Sequence, residues 1–123
     1  MALHSTLEIY GSIFGLLGVA QRVVLQTRRD VKKLFGEKII EACARMDLHV
    51  RAANMAADKE PHLLRLLEEL ELVELYTRGC RDWGYLPNPG YAAIIERTQS
   101  IGRQCNGWRK EQAGSQQRQL FDR

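Results

Sequence analysis

The chain contains four segments in which apolar residues recur at steps of three and four, the spacing that gives one apolar face on an α-helix. The clearest stripe runs through the last segment and predicts a helix from about Tyr91 to Glu111. No stretch alternates between apolar and polar residues as a strand does. Because the four segments are joined by short loops, the pattern predicts an all-α fold, an antiparallel up-down-up-down four-helix bundle.

The first helix is apolar over an arc that is wider than a single stripe. One face carries Leu3, Leu7, Tyr10, Phe14, Leu17 and Val24. A second set widens the arc and consists of Ile9, Ile13, Leu16, Ala20 and Val23. A helix of this kind either lies at the centre of its own bundle or is pressed against a second subunit.

Two polar segments separate the helices most clearly. The basic run Gln26–Lys33 lies between the first and second helices, and the core face of the second helix includes either Leu34 or Phe35. The segment Asp82–Gly90 holds two prolines and two glycines, so it cannot continue a helix and predicts the loop before the fourth one.

The length and composition predict one domain. The chain has 123 residues, of which 45% are hydrophobic, enough to bury a core. We expect residues 1–112 to form the bundle and residues 113–123, rich in Gln, Ser and Arg, to be a flexible polar tail. The longest charge-free run near the start, residues 9–21, is too short to span a bilayer, so we expect no membrane association. The cysteines form no CxxC pair and predict reduced core thiols in a cytoplasmic protein: Cys43, Cys80 and Cys105.

Charge is distributed unevenly, although the formal net charge is only +3. The third helical segment is acidic and the rest of the chain is basic. Arginine and lysine side chains suit contact with phosphates, and the acidic helix could pair with a basic surface on another copy or another protein. The candidate nucleic-acid-binding residues fall in two groups, Arg22, Arg28, Arg29, Lys32 and Lys33 around the first linker, and Arg103, Arg109 and Lys110 near the C-terminus.

No catalytic pattern is present. The three histidines are isolated, and the sequence contains no HExxH motif, no Cys/His ligand spacing and no glycine-rich phosphate loop. Neighbouring carboxylates occur only at helical spacing, which is typical of a solvated face. We therefore expect a protein that is not an enzyme and that has no catalytic residue, metal site or cofactor.

The C-terminal stripe ends in the run Ile101–Trp108, which reads IGRQCNGW and holds two glycines inside a helix. Each interior glycine costs a helix about 1 kcal/mol relative to alanine. Gly102 and Gly107 therefore either admit a close neighbour or leave room for the Trp108 indole, or else Gly107 merely loosens a fraying end.

This run, the basic run Gln26–Lys33, the sequence Leu34-Phe35-Gly36 and the four-helix layout together resemble the accessory variability determinant (Avd) proteins of diversity-generating retroelements. These belong to a wider set of bacterial four-helix bundles that includes proteins encoded in ribosomal RNA intervening sequences. The resemblance covers roughly residues 5–112. The matched motif residues are Ile101, Gly102, Arg103, Gly107 and Trp108, with a role in packing or assembly.

The resemblance implies a non-enzymatic accessory factor that forms a homo-oligomer, a homopentamer in the family. Its implied partners are a reverse transcriptase and the template RNA or the RNA–DNA hybrid, and its implied role is to support mutagenic reverse transcription. The alternative is a self-associating bundle of the wider set that has no nucleic-acid role.

Overall fold

The computed structural model describes the backbone of residues 3–121 and the side chains of residues 7–121. Within that part of the chain the protein has four helices and no strand, which confirms the all-α class. We number them α1 (Leu3–Leu25), α2 (a turn at Arg29–Val31, a π-helical turn at Lys32–Gly36 and a regular helix at Glu37–Met55), α3 (Glu60–Asp82) and α4 (Asn88–Phe121). Residues 1–2 of the expected bundle and 122–123 of the expected tail lie outside the described residues.

All four helices contribute to one hydrophobic core. The main contacts join α1 to α2, α2 to α3, α3 to α4 and α4 to α1. Leu16, Met46, Leu66 and Ile101, one from each helix, are fully buried. A smaller cluster of Val31, Cys80 and Leu86 lies apart from this core.

The core takes mainly the second apolar set on α1, while Tyr10 and Leu17 of the first set are half-buried against it. The side chain of Leu3, also in the first set, lies outside the described residues. Ile9, Ile13 and Leu16 are buried, whereas the side chains of Leu7 and Phe14 are 61% and 76% exposed. Both sets satisfy the helical period, so periodicity alone could not select the buried one. The segment Leu7–Leu25 is also long and apolar enough to cross a membrane by length and composition, a test that core helices of soluble proteins pass as well.

The start of α2 contains an extra residue per turn. The π-helical turn Lys32–Gly36 turns Leu34 outwards, where it is 60% exposed, while Phe35 is half-buried against the smaller cluster. Gly36 allows α1 to approach, because a Cβ there would lie 2.5 Å from Cγ1 of Val24. The choice between Leu34 and Phe35 is therefore resolved in favour of Phe35.

The last helix is longer than the sequence pattern predicted. It begins at Asn88, so the expected start near Tyr91 is wrong, because Pro89 is tolerated in the first turn of a helix. It also continues to Phe121, so the expected end near Glu111 is wrong. The reason is that residues 112–121 are mostly good helix formers, which extend a helix without needing a packing partner. Trp108 is the last buried residue of the described chain, and residues 113–121 of the expected tail are helical but unburied.

Polar contacts fix how neighbouring helices face each other. Nε2 of Gln104 donates to Oγ of Ser12 at 2.8 Å between α4 and α1. The ammonium of Lys59 donates to the carbonyls of Ala53 and Ala56 at 3.0 and 2.8 Å, and so caps the end of α2.

Candidate nucleic-acid interface

The basic segment, residues 22–33, forms the turn from α1 into α2. The hydroxyl of Thr27 donates to the carbonyl of Val24 at 2.7 Å and closes the end of α1. Arg28 then adopts an extended backbone, and α2 begins at Arg29. The turn therefore places the cations of the segment around the C-terminal end of α1 and the N-terminal end of α2.

Most of these cations have no acidic partner. Arg22, Arg29 and Lys33 are exposed and Lys32 is partly buried, and within residues 7–121 none of the four forms an ion pair. Their charges are therefore available to a ligand from outside the described chain.

Arg28 is different because it pairs with Asp30, at 2.8 Å between Nη2 and Oδ2. This hydrogen bond lowers the pKa of the Asp30 carboxyl and raises the pKa of Arg28. Both side chains are well exposed, so solvent screens the pair. Its main effect is to cancel the one acidic charge within the basic segment.

The position of the cations at the start of α2 strengthens the positive potential. Backbone N–H groups give a helix N-terminus a partial positive charge, and each cation placed there costs about 0.3–1 kcal/mol. Arg29, Lys32 and Lys33 lie in the first turns of α2, with Lys32 and Lys33 on its π-helical turn. A helix N-terminus surrounded by cations presents positive charge to an anion such as a phosphate, and π-helical turns occur frequently at functional sites.

The loop between α3 and α4 adjoins this segment through aromatic side chains. Gly84 has a positive φ of 79°, which completes a Schellman motif at the end of α3. Its two hydrogen bonds run from Tyr85 N–H to the Cys80 carbonyl at 2.8 Å and from Gly84 N–H to the Arg81 carbonyl at 3.1 Å. The motif holds Trp83 and Tyr85 in fixed positions on either side of the glycine.

Phe35 joins those two side chains in what we call the aromatic cluster: Phe35, Trp83 and Tyr85. The ring centroids of Phe35 lie 5.7 Å from Trp83 and 6.2 Å from Tyr85. The guanidinium of Arg28 lies 5.5 Å from the Tyr85 ring centroid, which connects the cluster to the basic segment. Sequence reasoning missed this cluster because its members come from two separate segments, although Trp83 and Tyr85 were visible in the predicted loop.

The second group of candidate cations lies elsewhere on the molecule. Arg109 makes a bidentate contact with Oε1 of Glu60, at 2.6 and 2.9 Å, and this hydrogen bonding raises the pKa of Arg109. Arg103 and Lys110 are exposed. Gly90, at the α4 start, packs beside Val23, and the 19 residues from there to Arg109 span about 28 Å of helix. The eight candidate cations therefore form two separate groups.

The matched motif residues are divided between core and surface. Ile101 and Trp108 are 0% and 2% exposed and belong to the core. A Cβ added to Gly102 would lie 4.0 Å from Cδ1 of Leu70, whereas a Cβ added to Gly107 would meet no described atom within 4 Å. Packing inside this chain therefore explains Ile101 and Trp108, while nothing within the described residues requires Gly107.

An apolar groove runs between α1 and α2 on a different side of the molecule. It has a volume of about 980 Å³ and is lined mainly by Tyr10, Phe14, Leu17 and Met55. Phe14 and Met55 are 76% and 88% exposed. We call this feature the α1–α2 groove.

The Cys43 and Cys105 thiols are enclosed in the core, and His49 is partly buried. Burial raises the pKa of the Cys43 and Cys105 thiols to about 12, so neither is a thiolate at neutral pH. Burial also lowers the pKa of His49, whose Nε2 lies 3.7 Å from a Glu69 oxygen. Among the described residues, no three His, Cys, Asp or Glu side chains come together as a metal-binding group.

No protein-family model matches the chain, and no curated protein or solved structure matches it either. The resemblance carried by Ile101–Trp108 therefore stays a prediction, and the functional argument depends on the geometry described above.

Proposed function

We propose that this protein is a non-enzymatic, cytoplasmic accessory factor that binds nucleic acid through the basic segment. The observation that carries the proposal is a set of four cations around the start of α2 that form no ion pair within residues 7–121: Arg22, Arg29, Lys32 and Lys33. Phosphate backbones bind to such clusters because each contact releases a condensed counterion. The resemblance of the motif extends the proposal to a diversity-generating retroelement, with a reverse transcriptase and template RNA or RNA–DNA hybrid as partners.

We propose the antiparallel up-down-up-down bundle as the arrangement of the four helices. Contacts between α1 and α4 support it, since Ser12 meets Gln104 while Val23, further along α1, lies beside Gly90, earlier in α4. The short connections at residues 26–28, 56–59 and 83–87 also favour antiparallel neighbours. In this arrangement the basic segment and the α3–α4 loop share one end.

RNA binding by the purified protein tests the main proposal. Binding of a fluorescein-labelled 20-nucleotide RNA is measured by anisotropy across a salt series, for the wild type and for a variant with Arg22, Arg29, Lys32 and Lys33 all changed to Gln. Each lost phosphate contact should reduce the slope of log K against log salt by about 0.7–0.9.

The matched control changes Arg103 and Lys110 to Gln, further along α4. It removes two exposed cations without touching the basic segment. For each cation removed, the proposal expects a smaller change in slope for this control than for the four-residue variant. Equal slopes for wild type and the four-residue variant would remove the basic segment from the proposed interface.

A self-associating bundle without a nucleic-acid role is the second candidate, and the α1–α2 groove favours it. An exposed apolar surface of this kind is often an interaction site, and oligomerisation through it is compatible with a homopentamer. Light scattering after size exclusion measures the particle mass for wild type and Phe14→Asp. This candidate expects an oligomer that Phe14→Asp dissociates, together with no RNA binding by either protein.

A further inference from the structure

We propose that the aromatic cluster is a base-stacking platform, which makes the interface selective for single-stranded over double-stranded nucleic acid. The inference deepens the proposed function and depends on it, because it assigns a second kind of contact to the same end of the molecule. The platform consists of Trp83 and Tyr85, with Phe35 supporting both rings.

Trp83 is the most informative residue of the cluster. Its side chain is 60% exposed, although an indole is among the most favourable groups to bury. It does not belong to the smaller apolar cluster, whose partly buried aromatic members are Phe35, Tyr85 and Tyr91. Packing within the chain therefore covers less than half of the Trp83 surface, and the rest is open to a ligand.

The exposed indole is also held in place. It lies against the last turn of α3, where a Cβ on Gly79 would come within 2.8 Å of its Cζ3. The backbone N–H of Trp83 donates to the Gly79 carbonyl at 2.9 Å, and the Schellman motif fixes the backbone of the next two residues. A ring that is already ordered loses little conformational entropy on binding.

The positive charge beside this aromatic surface indicates that its ligand is nucleic acid. The guanidinium of Arg28 lies over Tyr85 at 5.5 Å, so the rings are continuous with the basic segment. The two nearby acids are already engaged, since Asp30 pairs with Arg28 and Asp82 accepts a hydrogen bond from Arg81 at 3.0 Å. Cations beside exposed aromatic rings match a polymer of phosphates and flat bases.

Stacking on these rings should favour single-stranded over double-stranded nucleic acid. Bases in a duplex already stack on their neighbours, and A-form grooves do not admit side chains to the base faces. Only unpaired bases can place a face on Trp83 or Tyr85. The cations should hold either form, whereas the rings should favour the single strand.

The test compares a 12-nucleotide oligouridine with a 12-base-pair RNA duplex, using tryptophan emission and anisotropy. Oligouridine should quench the emission of the wild type, because Trp83 is exposed. The same oligomer should leave the emission of Trp83→Phe unchanged, because the remaining indole, Trp108, is buried.

Affinity provides the second readout. Trp83→Ala should weaken oligouridine binding by roughly 5- to 150-fold, the equivalent of one lost stacking contact. It should leave duplex affinity and the salt slope unchanged. Trp83→Phe, which keeps a ring, should recover most of the lost affinity. Trp83 lies outside the main core, so both variants should fold, which circular dichroism checks.

Failure of this inference is distinguishable from failure of the proposed function. If oligouridine binds with a salt slope that depends on the basic segment but Trp83→Ala binds equally well, the stacking platform is wrong and the basic interface stands. If wild type binds neither oligouridine nor duplex, both proposals are overturned. Equal affinity of the wild type for duplex and oligouridine would also contradict the stacking platform.

Discussion

Replacing Trp108 by Ala should destabilise the fold severely. The indole is 2% exposed and belongs to the main core, so its removal leaves a large cavity. Tryptophan-to-alanine changes in cores cost about 3–5 kcal/mol, against a total stability of about 5–15 kcal/mol for a typical domain. For a chain of this size the loss corresponds to a fall in Tm of roughly 10–20 °C.

Trp108→Phe distinguishes the cost of lost packing from the cost of the buried indole N–H donor. The indole Nε1 is buried without a hydrogen-bond partner in the described part of the chain, and an unsatisfied buried donor costs about 1–3 kcal/mol. Phenylalanine removes that donor while keeping a ring. We therefore expect Trp108→Phe to lose well under half of what Trp108→Ala loses.

Urea denaturation followed by circular dichroism measures all of these variants. Trp83→Ala is the matched control, since it removes the same side chain from a site that is 60% exposed, and it should cost under about 1 kcal/mol. The reasoning is refuted if Trp108→Ala and Trp83→Ala change the free energy of unfolding equally.

Three further predictions concern pH, thiol reactivity and helix contact. Burial holds the pKa of His49 below its ordinary value of 6.5, so the folded state favours the neutral imidazole and loses stability as the pH falls below 6.5. Urea midpoints should therefore fall less for His49→Gln than for the wild type between pH 7 and 5. A thiol-specific chromogenic reagent should label Cys43 and Cys105 only after denaturation, and rapid native labelling would contradict their burial. Gly36→Ala should cost about 1–3 kcal/mol because its Cβ would overlap Val24, whereas Gly107→Ala, which meets nothing, should be neutral or stabilising by up to about 1 kcal/mol in the same urea assay.

The sequence pattern predicted where the four helices lie in the chain, but it did not predict which face of α1 is buried. Periodicity located all four helices because each must bury one face. It could not choose between the two apolar sets on α1, since burial depends on where α2 and α4 lie. The end of α4 was wrong for a related reason: the pattern records burial, which stops at Trp108, and the helix continues beyond it to Phe121.

The parts of the candidate site that are adjacent in the sequence could be predicted, whereas the parts that depend on tertiary packing could not. The basic segment was visible because its cations are adjacent in the sequence. The aromatic cluster was not, because Phe35 lies 48 residues before Trp83 and the two meet only when α2 packs on α3. Arg109 was predicted as a nucleic-acid contact, yet its partner Glu60 lies on another helix. Local sequence therefore indicates charge, and tertiary packing decides which charges remain available.

Photo-crosslinking of bound RNA tests the central claim most directly. An oligomer carrying 4-thiouridine is bound to the purified protein and irradiated, and the crosslinked peptides are identified by mass spectrometry. We expect crosslinks in residues 22–35 and 83–91. Crosslinks confined to α3 or to residues 103–118, or none from an RNA that binds, would contradict it.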